Sequence, residues 1–335
     1  TRTFDTWMDS SISPLFISGY LRDEKLFKKT YPTSIRPQAK DIIRTWLYYT
    51  LLRCYQLTGK IPWEHAWIMG YGVDEKGQKM SKSRGNVIDP VPILEKYGAD
   101  AFRFWAASEA TLGSDFRCSE QRIQNALKFL TKFWNVARFI SAFPQPEKKP
   151  KLTPTDEWIL SEVNKLIDAC MEGYDDFNFY IPSNKIREFV WNVFAPHYIE
   201  MVKKRAYGEG FDEDEQQSAW YTLHTGLRTI LLLLHPMTPF ITDYIWRKLY
   251  SEAGIVREKF PSIIDLPEVD IDFDIVMDIN NTIWKYKASK GLSIKATIES
   301  IRLNPTLKAI EKDLKCCHNI KTISYTNDVE IIEIP

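Results

Sequence analysis

The chain has 335 residues and no formal net charge, because its 44 basic residues balance its 44 acidic residues. This balance excludes a global positive field, so any nucleic-acid site must be a local basic patch. A hydrophobic content of 44% allows two or three domains with large cores. We find no signal peptide and no apolar run of about 18 residues, so we expect a cytoplasmic protein without a membrane partner.

The five cysteines have neither the spacing of a zinc site nor that of a disulfide framework. Free thiols are typical of a reducing cytosol. Cys316, Cys317 and His318 are adjacent and form the one candidate metal cluster in the sequence. We predict no protein-bound metal.

The N-terminal segment reads as α/β. Phe4 to Met8 is predicted to be a short strand that ends in a polar turn, and strand ends are where α/β sheets place ligand groups. In that position Trp7 could wall an apolar pocket and Asp9 could bind an ammonium group. The alternative is that Trp7 packs in the core and Asp9 caps a turn.

A helix is predicted over residues 42–58, where apolar side chains recur at helical spacing. Pro37 suits an entry turn before this helix, and Gly59 follows its end. Asp41 lies at its start, where it either complements the helix dipole or accepts hydrogen bonds from ribose hydroxyls. A strand is predicted from Trp63 to Met69. Strand, helix and strand in this order form a βαβ unit with a parallel sheet.

The next stretch, KMSKSRGNVIDP at 79–90, follows a segment of turn composition and is therefore placed on a mobile loop. Lys79 and Lys82 are three residues apart, with the hydroxyls of Ser81 and Ser83 beside them. Ammonium groups, hydroxyls and exposed amides suit a polyphosphate, since they can stabilise the charge that builds as one phosphate leaves another. An arbitrary basic loop with this spacing would simply be solvated.

The remainder is predicted to be mostly helical, with two proline-containing linkers. Short helices end at Gly98 and near Ala107, and Ser119 is predicted to cap a long helix that runs to Ile140. The last segment reads as helix, strand, helix, strand, strand, with the final two strands paired across Asn327-Asp328. The predicted units are an α/β region over 1–90, helices over 91–143, a linker at 144–155, a helical bundle over 156–255, a linker at 256–271 and a small α+β domain over 272–335.

Several strings together resemble the class I aminoacyl-tRNA synthetases, and within that class the archaeal-type valyl-tRNA synthetases. They are DTWMDSS at 5–11, RPQAKDIIRTW at 36–46, KMSKSRGNVIDP at 79–90, WNVFAPHYIE at 191–200 and LLLLHPMTPFITDYIW at 231–246. The resemblance implies a partial Rossmann-like catalytic half with the KMSKS loop, a stem-contact region, an all-α anticodon-binding bundle and a small α+β C-terminal domain. The implied substrates are valine, tRNA(Val) and ATP with Mg²⁺.

The resemblance also implies roles for single residues. Trp7, Asp9 and Trp46 map to the amino-acid pocket, and Asp41 maps to a carboxylate near the ATP ribose. In the loop, Lys79 and Lys82 match the lysines that hold the ATP phosphates in the transition state, with Met80, Ser81 and Ser83 beside them. In the bundle, the candidate phosphate contacts are Arg187, Lys203, Lys204 and Arg205, each of which could instead be a solvated charge. We expect His197 and His235 to be packed or capping histidines.

Two departures from the family pattern are visible. The family has a glycine two residues before the carboxylate, where this chain has Ala39. No His-x-Gly-His motif occurs in the sequence, and the editing domain is missing. We therefore expect the chain to be the C-terminal portion of a longer enzyme, dependent on its N-terminal part, and unable to make valyl-adenylate alone. An isoleucyl enzyme and a non-catalytic tRNA-binding fragment remain the alternatives.

Overall fold

The structure is a computed structural model that describes residues 3–268, 271–327 and 332–334. Its N-terminal region alternates short helices with two strands. The helices are α1 (Trp7–Ser10), α2 (Ser13–Ile17), α3 (Glu24–Thr30) and α4 (Tyr48–Thr58), and the strands are β1 (Thr33–Ala39) and β2 (Trp63–Met69). A 3₁₀ turn (Lys40–Ile42) and a π-helical turn (Ile43–Leu47) lead directly into α4.

The predicted strand over Phe4–Met8 is wrong, because this segment turns into α1 instead. The backbone N–H of Trp7 donates to the Asp5 carboxylate at 2.8 Å, and the N–H of Met8 donates to the Asp5 carbonyl at 2.9 Å. Aspartate, threonine and serine favour such local side-chain-to-backbone bonds over an extended strand.

The predicted parallel βαβ unit is confirmed, but its first strand is β1. β1 and β2 pair in parallel, with Thr33 opposite Trp63 and Ala39 opposite Met69. Pro37 lies inside β1, and a proline is tolerated in a strand where its missing N–H is not needed by a neighbour. The sequence reading treated Pro37 as part of a turn, and this is why β1 was missed.

The middle region contains the loop at residues 79–90 and the helices that follow it. It contains β3 (Gly72–Val73), a 3₁₀ turn (Lys82–Arg84), α5 (Pro90–Tyr97), α6 (Ala99–Glu109), β4 (Phe116–Arg117) and the long α7 (Glu120–Ile140). The predicted helices are confirmed, but Ser119 does not cap α7 with its side chain. Its hydroxyl instead donates to Glu75 at 3.1 Å and ties α7 to the turn before the loop.

Residues 154–257 form an all-helical bundle, as predicted. Its elements are α8 (Pro154–Asp175), α9 (Tyr180–Glu188), a π-helical stretch (Phe189–Tyr198), α10 (Ile199–Ala206), α11 (Glu213–Leu234), α12 (Pro239–Leu249) and a 3₁₀ turn (Ile255–Arg257). Asp212 and Glu215 form a capping box at the start of α11. The Asp100 carboxylate of α6 accepts from the N–H of Ile241 at 2.6 Å, which fixes the middle region to the start of α12.

The C-terminal unit is α+β, as predicted, with a different strand arrangement. It contains α13 (Phe273–Ser289), β5 (Ile298–Leu303), a 3₁₀ turn (Pro305–Ile310), α14 (Glu311–His318), β6 (Ile320–Tyr325) and β7 (Ile332–Glu333). β5 lies between β6, which is parallel to it, and β7, which is antiparallel. The predicted hairpin between the last two strands is therefore wrong, and part of its turn lies outside the described residues.

The main hydrophobic core runs from α6 through the bundle to β6, and a small second cluster forms around Leu15, Tyr31 and Cys54. Large exposed apolar side chains are concentrated in the N-terminal region. They include Phe4, Phe16, Ile17, Leu21, Tyr48, Leu52, Tyr55, Leu57 and Ile61. Such a surface is typical of a face that another polypeptide covers. Among the described residues, no helix combines the length and apolar character needed to cross a bilayer.

Candidate functional site

Helix α1 is held against the helix that follows β1, so two distant segments of the sequence meet. The anchors are side chains of the later helix that bond to backbone carbonyls of the earlier segment. Trp46 Nε1 donates to Ser10 at 3.1 Å, Arg53 Nη1 donates to Met8 at 2.9 Å, and Cys54 Sγ lies 3.9 Å from the Ser11 carbonyl oxygen. Trp7 and Trp46 are half-buried beside this junction, and Asp9 is exposed.

The guanidinium of Arg36, on β1, stacks on the indole ring of Trp46. Its guanidinium carbon lies 2.9 Å from the centre of the Trp46 ring and 5.1 Å from that of Trp63. Burial lowers the pKa of Arg36 to about 10, so the side chain stays charged at neutral pH. This cation–π contact restricts the indole of Trp46. The sequence reading missed Arg36, because no local pattern predicts which ring an arginine stacks on.

The signature loop, which is the KMSKSRGNVIDP stretch at 79–90, begins beside the 3₁₀ turn at Lys40–Ile42. Lys79 Nζ lies 3.8 Å from Asp41 Oδ2 and 3.9 Å from the centre of the Tyr71 ring. Lys40 also faces Tyr71 and pairs with Asp115 at 2.6 Å, and this hydrogen bond lowers the pKa of Asp115. The structure therefore brings together Asp41 and Lys79, two of the residues predicted for an ATP site.

Ala39, for which the resemblance predicted glycine, is the last residue of β1 and pairs with Met69. Its backbone is extended, with φ −82° and ψ 159°, which any L-residue adopts without strain. The alanine therefore fits the local path of the chain. Two residues later, Asp41 is exposed at the 3₁₀ turn.

The loop is braced by Asn86, a residue that the sequence reading did not single out. Its side-chain amide donates to Asp74 at 2.8 Å, and its oxygen accepts from the N–H of Ser81 at 2.9 Å. The bond from Asn86 is the largest cause of the lowered pKa of Asp74, with the N–H of Gln78 next. One side chain thus joins the turn before the loop to Ser81 within the loop.

Within the braced loop, the functional groups point outward. Lys82 and Ser83 are exposed, Ser81 is half-buried, and the Ser81 and Ser83 hydroxyls lie 3.2 Å apart. Met80 packs against the main core, so it anchors the loop rather than facing a ligand. Gly85 ends the 3₁₀ turn in the left-handed conformation, with φ 68°.

Gly70 connects β2 to the strand before the loop and allows a close backbone approach. A Cβ atom at this position would lie 1.9 Å from the carbonyl oxygen of Ser114. Only glycine permits this contact, because the atom it would meet belongs to the backbone. The approach places Asp115 where its carboxylate accepts from the N–H of Tyr71 at 2.8 Å.

The four predicted phosphate contacts of the bundle fall into different environments. Arg205 is 1% exposed and bonds to Asp156 and Asp313, so its prediction as an RNA contact is wrong. Arg205 was predicted to be a phosphate contact or a solvated charge, but α10 turns its side chain inward. Lys204 bonds to Asn319 at 2.6 Å, Lys203 is exposed at 3.6 Å from Glu200, and Arg187 is half-buried.

The histidines behave as predicted. His197 is buried against Asn280, and His235 bonds to Thr242 at 2.9 Å. His318 is also buried and bonds to Asn280 at 2.6 Å, which engages it away from the neighbouring cysteines. Across residues 3–268, 271–327 and 332–334, no three His, Cys, Asp or Glu side chains are grouped so that they could hold a metal ion.

Two families of known sequences match parts of this chain. The family described as tRNA synthetases class I (I, L, M and V) matches residues 1–119, and the family described as anticodon-binding domain of tRNA ligase matches residues 156–303. Over these residues the chain carries domains of the class I tRNA synthetases. The first match contains the signature loop, and the second contains the helical bundle.

Curated relatives of this chain include two archaeal proteins named valine--tRNA ligase. The protein of Pyrobaculum aerophilum is 43% identical over 99% of this chain and 42% of its own length. That of Aeropyrum pernix is 42% identical over 97% of this chain and 41% of its own length. The chain therefore spans about two fifths of the length of these relatives.

Solved structures show the same fold. The ternary complex of Agrobacterium radiobacter K84 LeuRS with tRNA and LeuAMS has a TM-score of 0.61 at 21% identity, covering 78% of this chain and 34% of that one. Mycobacterium tuberculosis methionyl-tRNA synthetase with methionyl-adenylate has a TM-score of 0.60 at 21% identity, covering 78% and 54%. The predicted partial Rossmann-like region followed by a helical bundle is thereby confirmed.

Proposed function

We propose that this chain is part of a valyl-tRNA synthetase, which attaches valine to tRNA(Val) through valyl-adenylate at the expense of ATP. The relatives named valine--tRNA ligase support this proposal. The structural observation that carries it is the contact between Lys79 and Asp41 at 3.8 Å. It joins the signature loop to the helix start, the two elements that a nucleotide must touch at once.

In the proposed site, Lys79 and Lys82 hold the phosphates of ATP, which enters as its Mg²⁺ complex. The hydroxyls of Ser81 and Ser83 and the backbone at Met80 line the same loop. Asp41 accepts hydrogen bonds from the ribose. The Lys79–Asp41 pair is more than a third exposed on both sides, and such pairs contribute little to stability, so an incoming nucleotide can separate them at small cost.

We propose that valine binds where α1 meets the later helix. Trp7 and Trp46 supply apolar surface, and Asp9 is exposed to accept the ammonium group of the amino acid. Trp46 is held on both sides, by its bond to Ser10 and by the Arg36 guanidinium. A held indole keeps the pocket shape that must distinguish side chains differing by one methylene.

The exposed apolar face of the N-terminal region supports a role within a longer enzyme, and the relatives are more than twice as long as this chain. We propose that the N-terminal part of the enzyme covers this face and supplies the opposite side of the ATP site. The isolated chain should therefore show no valine-dependent pyrophosphate exchange. Robust exchange by these residues alone would contradict this.

For the bundle, we propose that it binds tRNA(Val) near the anticodon. Arg187, Lys203 and Lys204 are the proposed phosphate contacts. Lys203 is exposed, and its pair with Glu200 is weak at 3.6 Å, so its ammonium can turn to a phosphate. Neutral overall charge makes such a local patch necessary.

The decisive test is aminoacylation of tRNA(Val) by the full-length enzyme with valine and with isoleucine. We expect kcat/KM to favour valine by at least about tenfold, because one methylene in a pocket is worth roughly 1–3 kcal/mol. A preference for isoleucine would identify an isoleucyl enzyme. Binding of tRNA without any aminoacylation would identify a non-catalytic RNA-binding protein.

A further inference from the structure

A groove of about 460 Å³ lies between α7 and the α9 helix with its π-helical continuation, and we call it the α7–α9 groove. This volume is within the range of sites that hold small organic ligands. Its lining combines amide, cationic and aromatic side chains: Asn125, Lys128, Phe129, Asn184, Arg187, Glu188, Trp191 and Asn192.

Each of the two helices contributes a stripe of such residues at helical spacing. On α7 the stripe is Asn125 and Lys128, continued by Lys132 one turn later. On the other side it is Asn184, Arg187 and Trp191 in the same i, i+3, i+7 pattern. Of these, Asn125, Lys128 and Trp191 are exposed in the structure.

Trp191 is 40% exposed and is held in place by a specific backbone feature. It lies in the π-helical stretch, where the N–H of residue i+5 would normally bond to its carbonyl. That residue is Pro196, which has no N–H. Lys132 Nζ instead donates to the Trp191 carbonyl at 3.0 Å and lies 4.5 Å from the centre of the indole. Lys132 thus fixes the ring as a rigid platform.

Arg187 is oriented in a similar way. Its Nη2 donates to the side-chain oxygen of Asn184, whose amide nitrogen in turn donates to the carbonyls of Ser108 at 3.1 Å and Tyr180 at 2.8 Å. The guanidinium is therefore positioned through an amide that is itself anchored to α6. Such preorganised cations are suited to a fixed anionic partner.

The local charge favours an anion. Lys128, Lys132 and Arg187 are positive, while Glu188, the acidic residue among the lining side chains, lies 3.9 Å from Lys185 Nζ. A base can stack on an exposed indole, side-chain amides can bond to its polar edge, and a phosphate can pair with arginine and lysine. These are the groups that the groove brings together.

We propose that the α7–α9 groove binds one unpaired nucleotide of the tRNA, with its base on Trp191 and its phosphate between Arg187 and Lys128. This inference rests on the proposed function and assigns a separate contact to it. The groove shares Arg187 with the phosphate contacts proposed for the bundle and lies apart from the loop site and the lysines of α10. It adds a contact on the surface where the middle helices meet the bundle.

The test is equilibrium binding of a fluorescently labelled tRNA(Val) transcript to the 335-residue chain, measured by anisotropy. Trp191→Ala should weaken binding about tenfold, since stacking on one aromatic ring is worth roughly 1–3 kcal/mol. Trp191→Phe should stay within about threefold of the wild type. Tyr180→Ala removes an exposed aromatic side chain of α9 outside the lining and should leave the affinity unchanged.

A second variant keeps the test decisive if Trp191→Ala fails to fold. Arg187→Gln should reduce the slope of log Kd against log salt concentration by about 0.7–0.9, the loss of one phosphate contact. If the wild-type chain binds no tRNA, the proposed role of the bundle fails. If it binds, and both variants bind within twofold with an unchanged salt slope, the groove proposal is overturned together with the phosphate contact of Arg187, as it would be for a groove that takes a peptide. The proposed tRNA binding by the bundle through Lys203 and Lys204 would stand.

Discussion

Replacement of Arg205 by methionine should strongly destabilise the chain. The guanidinium donates to Asp156 at 2.6 and 2.9 Å and to Asp313 at 3.1 Å, and all three side chains are buried. Burial alone would raise the pKa of Asp156, but the charge and hydrogen bonds of Arg205 hold it below the ordinary value. Methionine keeps the volume and leaves two carboxylates without their cation. Breaking a buried pair in this way costs about 3–5 kcal/mol.

The pair with Asp313 should matter less. Burial raises the pKa of Asp313 despite the nearby arginine, so its neutral form is favoured more than that of Asp156. We expect Asp313→Asn to cost less than about 2 kcal/mol, because Arg205 keeps both bonds to Asp156. The same arrangement makes the arginine a link between the bundle and the C-terminal unit.

Urea unfolding followed by circular dichroism measures both effects. The control is Lys203→Met, two residues away on the same helix, exposed and weakly paired with Glu200. It should change the free energy of unfolding by less than about 1 kcal/mol. If Arg205→Met unfolds like the control, or if it lowers tRNA affinity without any loss of stability, the buried network is not what holds this region together.

Two further predictions concern other parts of the molecule. Burial lowers the pKa of His197 to about 4 and that of His318 to about 3, so only the unfolded chain takes up these protons below about pH 6.5. The folding stability present above that pH should be lost as the pH falls towards 4. His318→Asn should flatten this pH dependence of the free energy of unfolding, measured by urea unfolding. His65→Gln, an exposed control, should not flatten it. Asn86→Ala should slow valine-dependent pyrophosphate exchange by the full-length enzyme about tenfold, since the bonds that tie Ser81 to Asp74 in the preceding turn are lost. Unchanged exchange would show that the brace is dispensable.

The sequence predicted the helices well, because their signals are local. The capping box at Asp212, the left-handed Gly59 and the helical spacing of apolar residues each act within a few positions. The same reasoning predicted the signature loop and its outward lysine, Lys82. These features need no knowledge of distant parts of the chain.

The failures share a cause, since each depended on contacts between distant segments. Pro37 made β1 look like a turn, and its pairing with the later strand overrides that local preference. Arg205 was predicted to be a phosphate contact or a solvated charge, because its two carboxylate partners lie 49 and 108 positions away in the sequence. Asn86 and Arg36 were missed for a similar reason, because their roles appear only when the loop and the tryptophans are placed in space.

The central claim is that the loop around residue 80 grips the triphosphate of ATP during activation of valine. Its most direct test is valine-dependent ATP–pyrophosphate exchange by the full-length enzyme carrying Lys82→Ala. The matched control is Lys76→Ala, an exposed lysine in the turn before the loop. We predict that Lys82→Ala lowers the exchange rate by about 10²–10³ with unchanged tRNA affinity, the usual effect of removing one group that stabilises transition-state charge, and that Lys76→Ala stays within about twofold. An exchange rate for Lys82→Ala equal to that of the control would contradict the claim.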